Sequence, residues 1–200
     1  MKKLILLAAA LLPLAAQAST VSLSTSRTGA GLFLSGGTTL AGTGSLIRVG
    51  SISNLADPIG TFVEFGAGST RTIISTTSKI TGSVSSALPE ANHTQFNGRT
   101  IYIWAYNAPT AGAATQQAIF TSTKAFPVND VSGVGDDVTV FSATELTGVV
   151  TIPGWNPGQI LAGSGDHTPR FVLGTVVPEP TTTTFSGLAA LAFIARRKRA

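Results

Sequence analysis

The chain has 200 residues, a formal net charge of +4 and no cysteine, which excludes thiol chemistry, disulfide bonds and cysteine-ligated metal sites. Of its 13 basic residues, two lie within the first three positions and four within the last five, which leaves seven against nine acidic residues between Ser19 and Pro180. These seven are scattered singly, so the high pI gives no indication of nucleic-acid binding.

The N-terminus has the three parts of a secretory signal peptide. Lys2 and Lys3 form a positive region, Leu4–Ala16 is an apolar stretch, and Ala16 and Ala18 are the small residues that signal peptidase requires. The apolar stretch is short for a membrane span. The sequence thus predicts a signal helix over residues 1–18, export by the Sec machinery and cleavage after Ala18.

Residues 19–176 form the predicted exported domain. Runs rich in Val, Ile, Thr and Phe alternate with Gly, Pro, Asn and Asp, as in strands joined by tight turns. We predict strands at Thr20–Thr25, Ser45–Ile52, Thr61–Phe65, Arg71–Thr76, Lys79–Ser85, Thr100–Tyr106, Ala118–Ser122, Asp137–Ser142, Gly148–Ile152 and Arg170–Val176. About 160 residues suffice for one domain with its own core.

Thr100–Tyr106 has the clearest strand pattern. Ile101, Ile103 and Ala105 point to one side, and Tyr102, Trp104 and Tyr106 point to the other. Apolar residues on both sides predict a central strand with a second layer over one face.

The fold class that follows is all-β. Regularly spaced short strands favour a single β-sandwich or jelly-roll-like domain, with helix limited to one or two turns in Ala111–Ala118.

The tail, residues 177–200, has a different composition. It contains Pro178, Glu179 and Pro180, four threonines, an apolar run from Phe185 to Ala195, and a basic end of Arg196, Arg197, Lys198 and Arg199. As a helix, Thr181–Ala195 is only about 22 Å long against about 30 Å of bilayer core, so it is a marginal span. The basic end fits a cytoplasmic C-terminus.

This tail resembles the PEP-CTERM sorting signal of exported bacterial proteins, which joins a Pro-Glu-Pro motif, an apolar helix and an arginine-rich end to an N-terminal signal peptide. The resemblance implies sorting by a membrane-embedded exosortase, with transient attachment to the inner membrane and an exopolysaccharide context. Residues 96–127 also resemble a block found in such proteins, and that block implies no catalytic activity.

Candidate catalytic residues are few. Asp166 and His167 are adjacent and His93 is the second histidine, but a turn composition surrounds Asp166-His167 and no Gly-x-Ser-x-Gly elbow is present. A glycoside hydrolase would need two convergent carboxylates, for which Glu64, Glu90 and Glu145 are the candidates. No spacing pairs them, so we expect no catalytic residue.

The sequence contains two candidate binding sites. Asn129-Asp130 and Asp136-Asp137 carry oxygen ligands for calcium, but they lack the full EF-hand spacing, and Asp beside Gly is common in turns. We therefore expect neither metal nor cofactor. Tyr102, Trp104 and Tyr106, with Trp155, form either a sugar-stacking platform or part of the core. The platform requires these rings to be exposed and coplanar.

The sequence therefore predicts an exported, non-catalytic protein of the cell surface or extracellular matrix. The expected role is structural or adhesive, with exopolysaccharide as a partner and no nucleic acid. The alternatives are a carbohydrate-binding module using Tyr102, Trp104 and Tyr106, and a secreted glycoside hydrolase-like enzyme.

Overall fold

The computed structural model describes residues 19–24, 31–66, 71–72, 81–86, 95–126, 137–141, 145–162 and 169–176. The predicted signal peptide, with Ala16 and Ala18, and the predicted tail, with its Pro-Glu-Pro motif and basic end, lie outside these residues. Within the described ranges, no helix has the length and apolar character that crossing a membrane requires.

The described residues are mostly β-strand, which confirms the predicted all-β class. The strands are β1 Ser19–Ser24, β2 Gly31–Phe33, β3 Leu46–Ile52, β4 Phe62–Glu64, β5 Arg71–Thr72, β6 Thr81–Ser86, β7 Thr100–Tyr106, β8 Gln116–Ala125, β9 Asp137–Phe141, β10 Leu146–Val150, β11 Gln159–Leu161, β12 Arg170–Val172 and β13 Gly174–Thr175. The helical expectation for Ala111–Ala118 reduces to a 3-10 turn at Ala111–Ala113, because β8 begins at Gln116.

The largest sheet contains seven strands. Its main path runs β10-β8-β7-β3-β4, with β13 paired to β8 and β5 paired to β3. All its pairings are antiparallel. β7 is the middle strand of this path, as its two-sided apolar sequence predicts.

Two three-stranded sheets accompany the large one, in the orders β6-β1-β9 and β11-β12-β2. Each combines an antiparallel and a parallel pair: β1 runs antiparallel to β6 and parallel to β9, and β12 runs antiparallel to β11 and parallel to β2.

One apolar core joins the three sheets. β7 contributes Ile101, Ile103 and Ala105 to it. The other sheets contribute Val21 and Leu23 from β1, Leu32 from β2 and Phe171 from β12. The face of the large sheet that carries these β7 residues is thus its core face. We call the opposite face, which carries Tyr102, Trp104 and Tyr106, the aromatic face.

Candidate functional site

Strand register brings the polar and aromatic side chains of the aromatic face together. Arg48 on β3 lies opposite Trp104 on β7, and Gly50 lies opposite both Tyr102 on β7 and Glu64 on β4. Since paired residues project to the same face, Arg48 and Glu64 share the face of the three β7 aromatics.

Arg48 is the centre of this cluster. Its Nη2 lies 2.7 Å from Glu64 Oε2 and its Nε donates to the same oxygen at 2.9 Å. The guanidinium carbon lies 5.0 Å from the ring centre of Phe62 and 5.4 Å from that of Trp104. Both distances are within the range of a cation–π contact. The cation is therefore neutralised on one side and held by two rings on the other.

Besides its contact with Arg48, Trp104 is held by one hydrogen bond and two ring contacts. Its Nε1 donates to Gln117 Oε1 at 3.0 Å, Phe62 packs edge-on against its ring at 5.0 Å, and Tyr106 stacks on it at 5.3 Å. A buried indole N–H needs an acceptor, and the amide of Gln117 supplies it without introducing charge.

A pocket of about 400 Å³ opens over this cluster. Its floor is the aromatic face, and its walls come from three connections between strands. The lining residues are Arg48, Ile59, Phe62, Trp104, Tyr106, Ala111, Ala114, Gln117 and Trp155. This volume and this mainly apolar, partly aromatic lining are those of a small-ligand site.

Hydrogen bonds within two of the walls hold their shape. In the wall that carries Ile59, Thr61 Oγ1 donates to the carbonyl of Asn54 at 2.9 Å, and the Gly60 N–H donates to Asp57 Oδ1 at 3.0 Å. In the wall that carries Ala111 and Ala114, Asn107 Oδ1 accepts from the N–H groups of Thr115 and Gln116, each at 3.0 Å.

The third wall carries Trp155. The Trp155 N–H donates to the carbonyl of Ile152 at 3.1 Å, and the next N–H, of Asn156, donates to the carbonyl of Thr175 on β13 at 2.8 Å. This backbone anchoring leaves the indole of Trp155 half-buried at the pocket.

The electrostatics keep the pocket groups in their ordinary protonation states at neutral pH. Burial raises the pKa of Tyr106 to about 12, against the opposing hydrogen bond from Arg48, so its phenol stays protonated. For Arg48, burial lowers the pKa, but hydrogen bonds with Glu64 and Tyr106 outweigh it and the net pKa is raised. Arg48 therefore remains a cation.

Of the two alternatives for Tyr102, Trp104 and Tyr106, the core alternative is confirmed and an exposed platform is excluded. Trp104 is only 5% exposed, and the other two rings are also buried. They belong to a second apolar cluster, completed by Leu46, Ile52, Ile119, Val150 and Ile152. Large aromatic rings gain most from burial, and the turns beyond β7 and β10 cover this face. What remains accessible is the pocket, where the edges of Trp104 and Tyr106 meet Trp155.

Of the three candidate carboxylates for hydrolysis, the two that the structure describes, Glu64 and Glu145, do not converge. Glu64 lies on β4 and Glu145 adjoins β10, at opposite ends of the main strand path of the large sheet. Four strand spacings amount to roughly 19 Å, whereas glycosidase carboxyls lie about 5–9.5 Å apart. Glu64 pairs with Arg48, and Glu145 lies 3.6 Å from the Nζ of Lys124. Glu90 lies outside the described residues.

Several other sequence candidates also lie outside the described residues: His93, Asn129, Asp130, Asp136, Asp166 and His167. Asp137 is the first residue of β9. Among the residues that the structure describes, no three His, Cys, Asp or Glu side chains are grouped so as to hold a metal ion.

The sequence did not predict the polar half of the pocket, because Arg48 is one of seven singly scattered basic residues and Gln117 belongs to no motif. A signal did exist for Arg48: it is the single charge in an otherwise apolar or neutral strand, which indicates a partner. For Gln117 no comparable signal exists.

Comparison of the chain with protein-family models, with curated proteins and with solved structures gives no significant match.

Proposed function

We propose that this chain is an exported, non-catalytic protein of the cell surface or extracellular matrix, sorted by an exosortase, with a structural or adhesive role among exopolysaccharides. One observation carries the proposal: the sequence has the pattern of a signal peptide at its N-terminus and, near its C-terminus, a Pro-Glu-Pro motif followed by an apolar run and a basic end. A cysteine-free body suits such a protein, because its folding needs no oxidant.

The proposed body is one β-sandwich or jelly-roll-like domain. The seven-stranded sheet and the two smaller sheets contribute to one core, and this shared core supports an arrangement of packed β-layers. In the proposed protein, a signal helix over residues 1–18 and a short apolar helix in the tail flank this domain. Both ends serve delivery, and the domain serves the function at the surface.

The sorting step is tested by replacing Pro178, Glu179 and Pro180 with alanine in a bacterium that has an exosortase. The wild-type chain is expected in the surface or medium fraction, starting at Ser19 and lacking the tail by mass spectrometry. The variant is expected in the membrane fraction with its tail intact. Alanines at Thr181, Thr182 and Thr183 are the matched control and should leave processing unchanged.

If the Pro-Glu-Pro variant loses its tail as the wild type does, the exosortase proposal fails. If the mature chain still begins at Met1, the export proposal fails separately.

A further inference from the structure

The pocket over Arg48 has hydrogen-bonding capacity that the described residues do not use. An arginine carries five N–H donors. Two N–H groups of Arg48 are directed at Glu64 and one at the hydroxyl of Tyr106, at a long 3.4 Å. The guanidinium thus retains donors on a side chain that lines the pocket.

Gln117 adds a second donor. Its Oε1 accepts from Trp104 Nε1, which identifies the other amide atom as Nε2. Within the described part of the chain, Nε2 makes no hydrogen bond, and it is not a fully buried atom, so it remains accessible on a residue that lines the pocket. Tyr106 is a third donor, because its oxygen accepts from Arg48 and its own proton stays in place to about pH 12.

The site has no net charge. Glu64 lies 2.7 Å from Arg48 and neutralises it, so a ligand meets donors without a net positive field. An anion would lose its hydration for little gain, whereas hydroxyl and carbonyl oxygens of a neutral ligand can accept these hydrogen bonds at lower desolvation cost.

The pocket walls offer apolar and aromatic surface beside these donors. Trp155 is half-buried, and Ile59 is 46% exposed although it is a large aliphatic residue. Both line the pocket, together with the rings of Phe62 and Trp104. A ligand that matches needs an apolar face for the rings and a rim of neutral oxygens for the donors.

We propose that this pocket binds one neutral sugar ring. A pyranose has C–H faces that stack on indole and a rim of hydroxyl oxygens, and an open pocket of about 400 Å³ bordered by three walls suits a ring more than an extended peptide. This binding is independent of the sorting route, so either proposal can fail alone.

The two tryptophans of the chain, Trp104 and Trp155, both line the pocket, so tryptophan fluorescence reports directly on its occupancy. The full-length chain, in a detergent without a sugar head group, is titrated with methyl glycosides of glucose, galactose, mannose and N-acetylglucosamine. Glucuronic acid and an uncharged N-acetyl tetrapeptide amide are the comparison probes. We expect a saturable emission change, with saturation-transfer NMR signals from the ring protons, for at least one neutral glycoside.

Variants locate the binding. Trp155→Ala is expected to weaken the glycoside by about tenfold, because the stacking surface is lost. Ile59→Ala is expected to weaken it by roughly threefold, through lost apolar contact of about one to two methylenes. Leu55→Ala is the matched control, since Leu55 is an exposed aliphatic residue of the same turn outside the pocket lining. Ile59 and Leu55 are both exposed, so these two variants leave the core intact.

The proposal is overturned if no neutral glycoside binds, or if glucuronic acid or the peptide binds more tightly than every neutral glycoside. It is also overturned if Trp155→Ala and Ile59→Ala bind the glycoside as Leu55→Ala does, because the sugar would then lie elsewhere on the protein.

Discussion

Arg48 shows how a single charge can lie within an apolar strand. Its neighbours along β3 are Ile47 and Val49, which point into the core. On the aromatic face, its charge meets Glu64 and its flat guanidinium lies against Phe62 and Trp104. A planar, weakly hydrated cation suits such an environment better than an ammonium group. The same residue thus organises the aromatic cluster and supplies donors to the pocket.

Glu64→Gln is expected to lower the free energy of unfolding by about 1–2 kcal/mol, because it leaves a partly buried arginine without its counter-charge. Lys124→Gln is the matched control: its Nζ lies 3.6 Å from Glu145 and its side chain is half-exposed, so we expect a change of about 0.5 kcal/mol or less. Urea unfolding measures both variants. If both variants lose the same free energy of unfolding, the ion pair of Arg48 and Glu64 stabilises the fold no more than an exposed pair does.

The Tyr106 phenol makes stability depend on alkaline pH. Its pKa is raised from 10.0 to about 12 in the folded state by burial. The unfolded chain therefore ionises first, and stability falls as the pH rises from about 10 through about 12, while below pH 10 the contribution is complete. Tyr106→Phe should lack this part of the alkaline loss in denaturant melts recorded across that range. Parallel curves for the variant and the wild type would contradict it.

At the scale of elements, sequence periodicity predicted what depends on a strand's own residues. Thr100–Tyr106 matches β7 in both bounds and both faces, because alternation over seven residues defines the strand and its orientation. β2 and β11 were not predicted, since β2 begins with Gly31 and β11 directly follows Pro157-Gly158, and such residues indicate breaks between strands. The expected strand Ala118–Ser122 is longer in the structure, as β8 covers Gln116–Ala125.

The pocket depends on strand register and on the positions of turns, and sequence periodicity predicts neither. Arg48 lies opposite Trp104 because of the register between β3 and β7, and these two residues are more than fifty positions apart in the sequence. The walls are turns whose positions follow from tertiary packing. The sequence therefore indicated that Trp104 and Tyr106 share a face, but neither the pocket above them nor its polar residues.

The aromatic face requires a glycine at position 50, because neighbouring atoms leave no room for a side chain there. A Cβ at this position would meet the carbonyl oxygen of Val63 and lie 2.6 Å from the ring of Phe62, which crosses β3 to reach Trp104. Gly50→Ala is expected to destabilise the fold by about 2–3 kcal/mol through this overlap. It should also change the near-UV circular dichroism of the tryptophans, because Phe62 must move.

Gly148→Ala is the control for this substitution. Gly148 is also a strand glycine, but a Cβ there makes only ordinary contacts, with Thr121 at 3.6 Å. We expect a change within about 0.5 kcal/mol. If the two alanine variants unfold at the same urea concentration, the close approach of Phe62 to Gly50 is not the cause.

At the scale of the molecule, the three sheets depend on one another. The ring centres of Phe120 on β8 and Phe171 on β12 lie 5.1 Å apart, and both rings belong to the core that also contains Val21 of β1. Without cysteine, no disulfide cross-links the sheets, so packing must supply the cooperativity. A core shared in this way should unfold as one unit.

Phe171→Ala tests this cooperativity from a sheet that contains no tryptophan. The variant leaves a large cavity, and we expect a loss of about 3–5 kcal/mol in the free energy of unfolding. Since Trp104 and Trp155 both line the pocket on the large sheet, tryptophan fluorescence follows that sheet, while far-UV circular dichroism follows all strands. Both signals should shift to lower urea together and remain superimposable. If the fluorescence transition stayed at its wild-type midpoint while the dichroism shifted, the large sheet would be stable without the smaller ones. The three sheets would then not unfold as one cooperative unit.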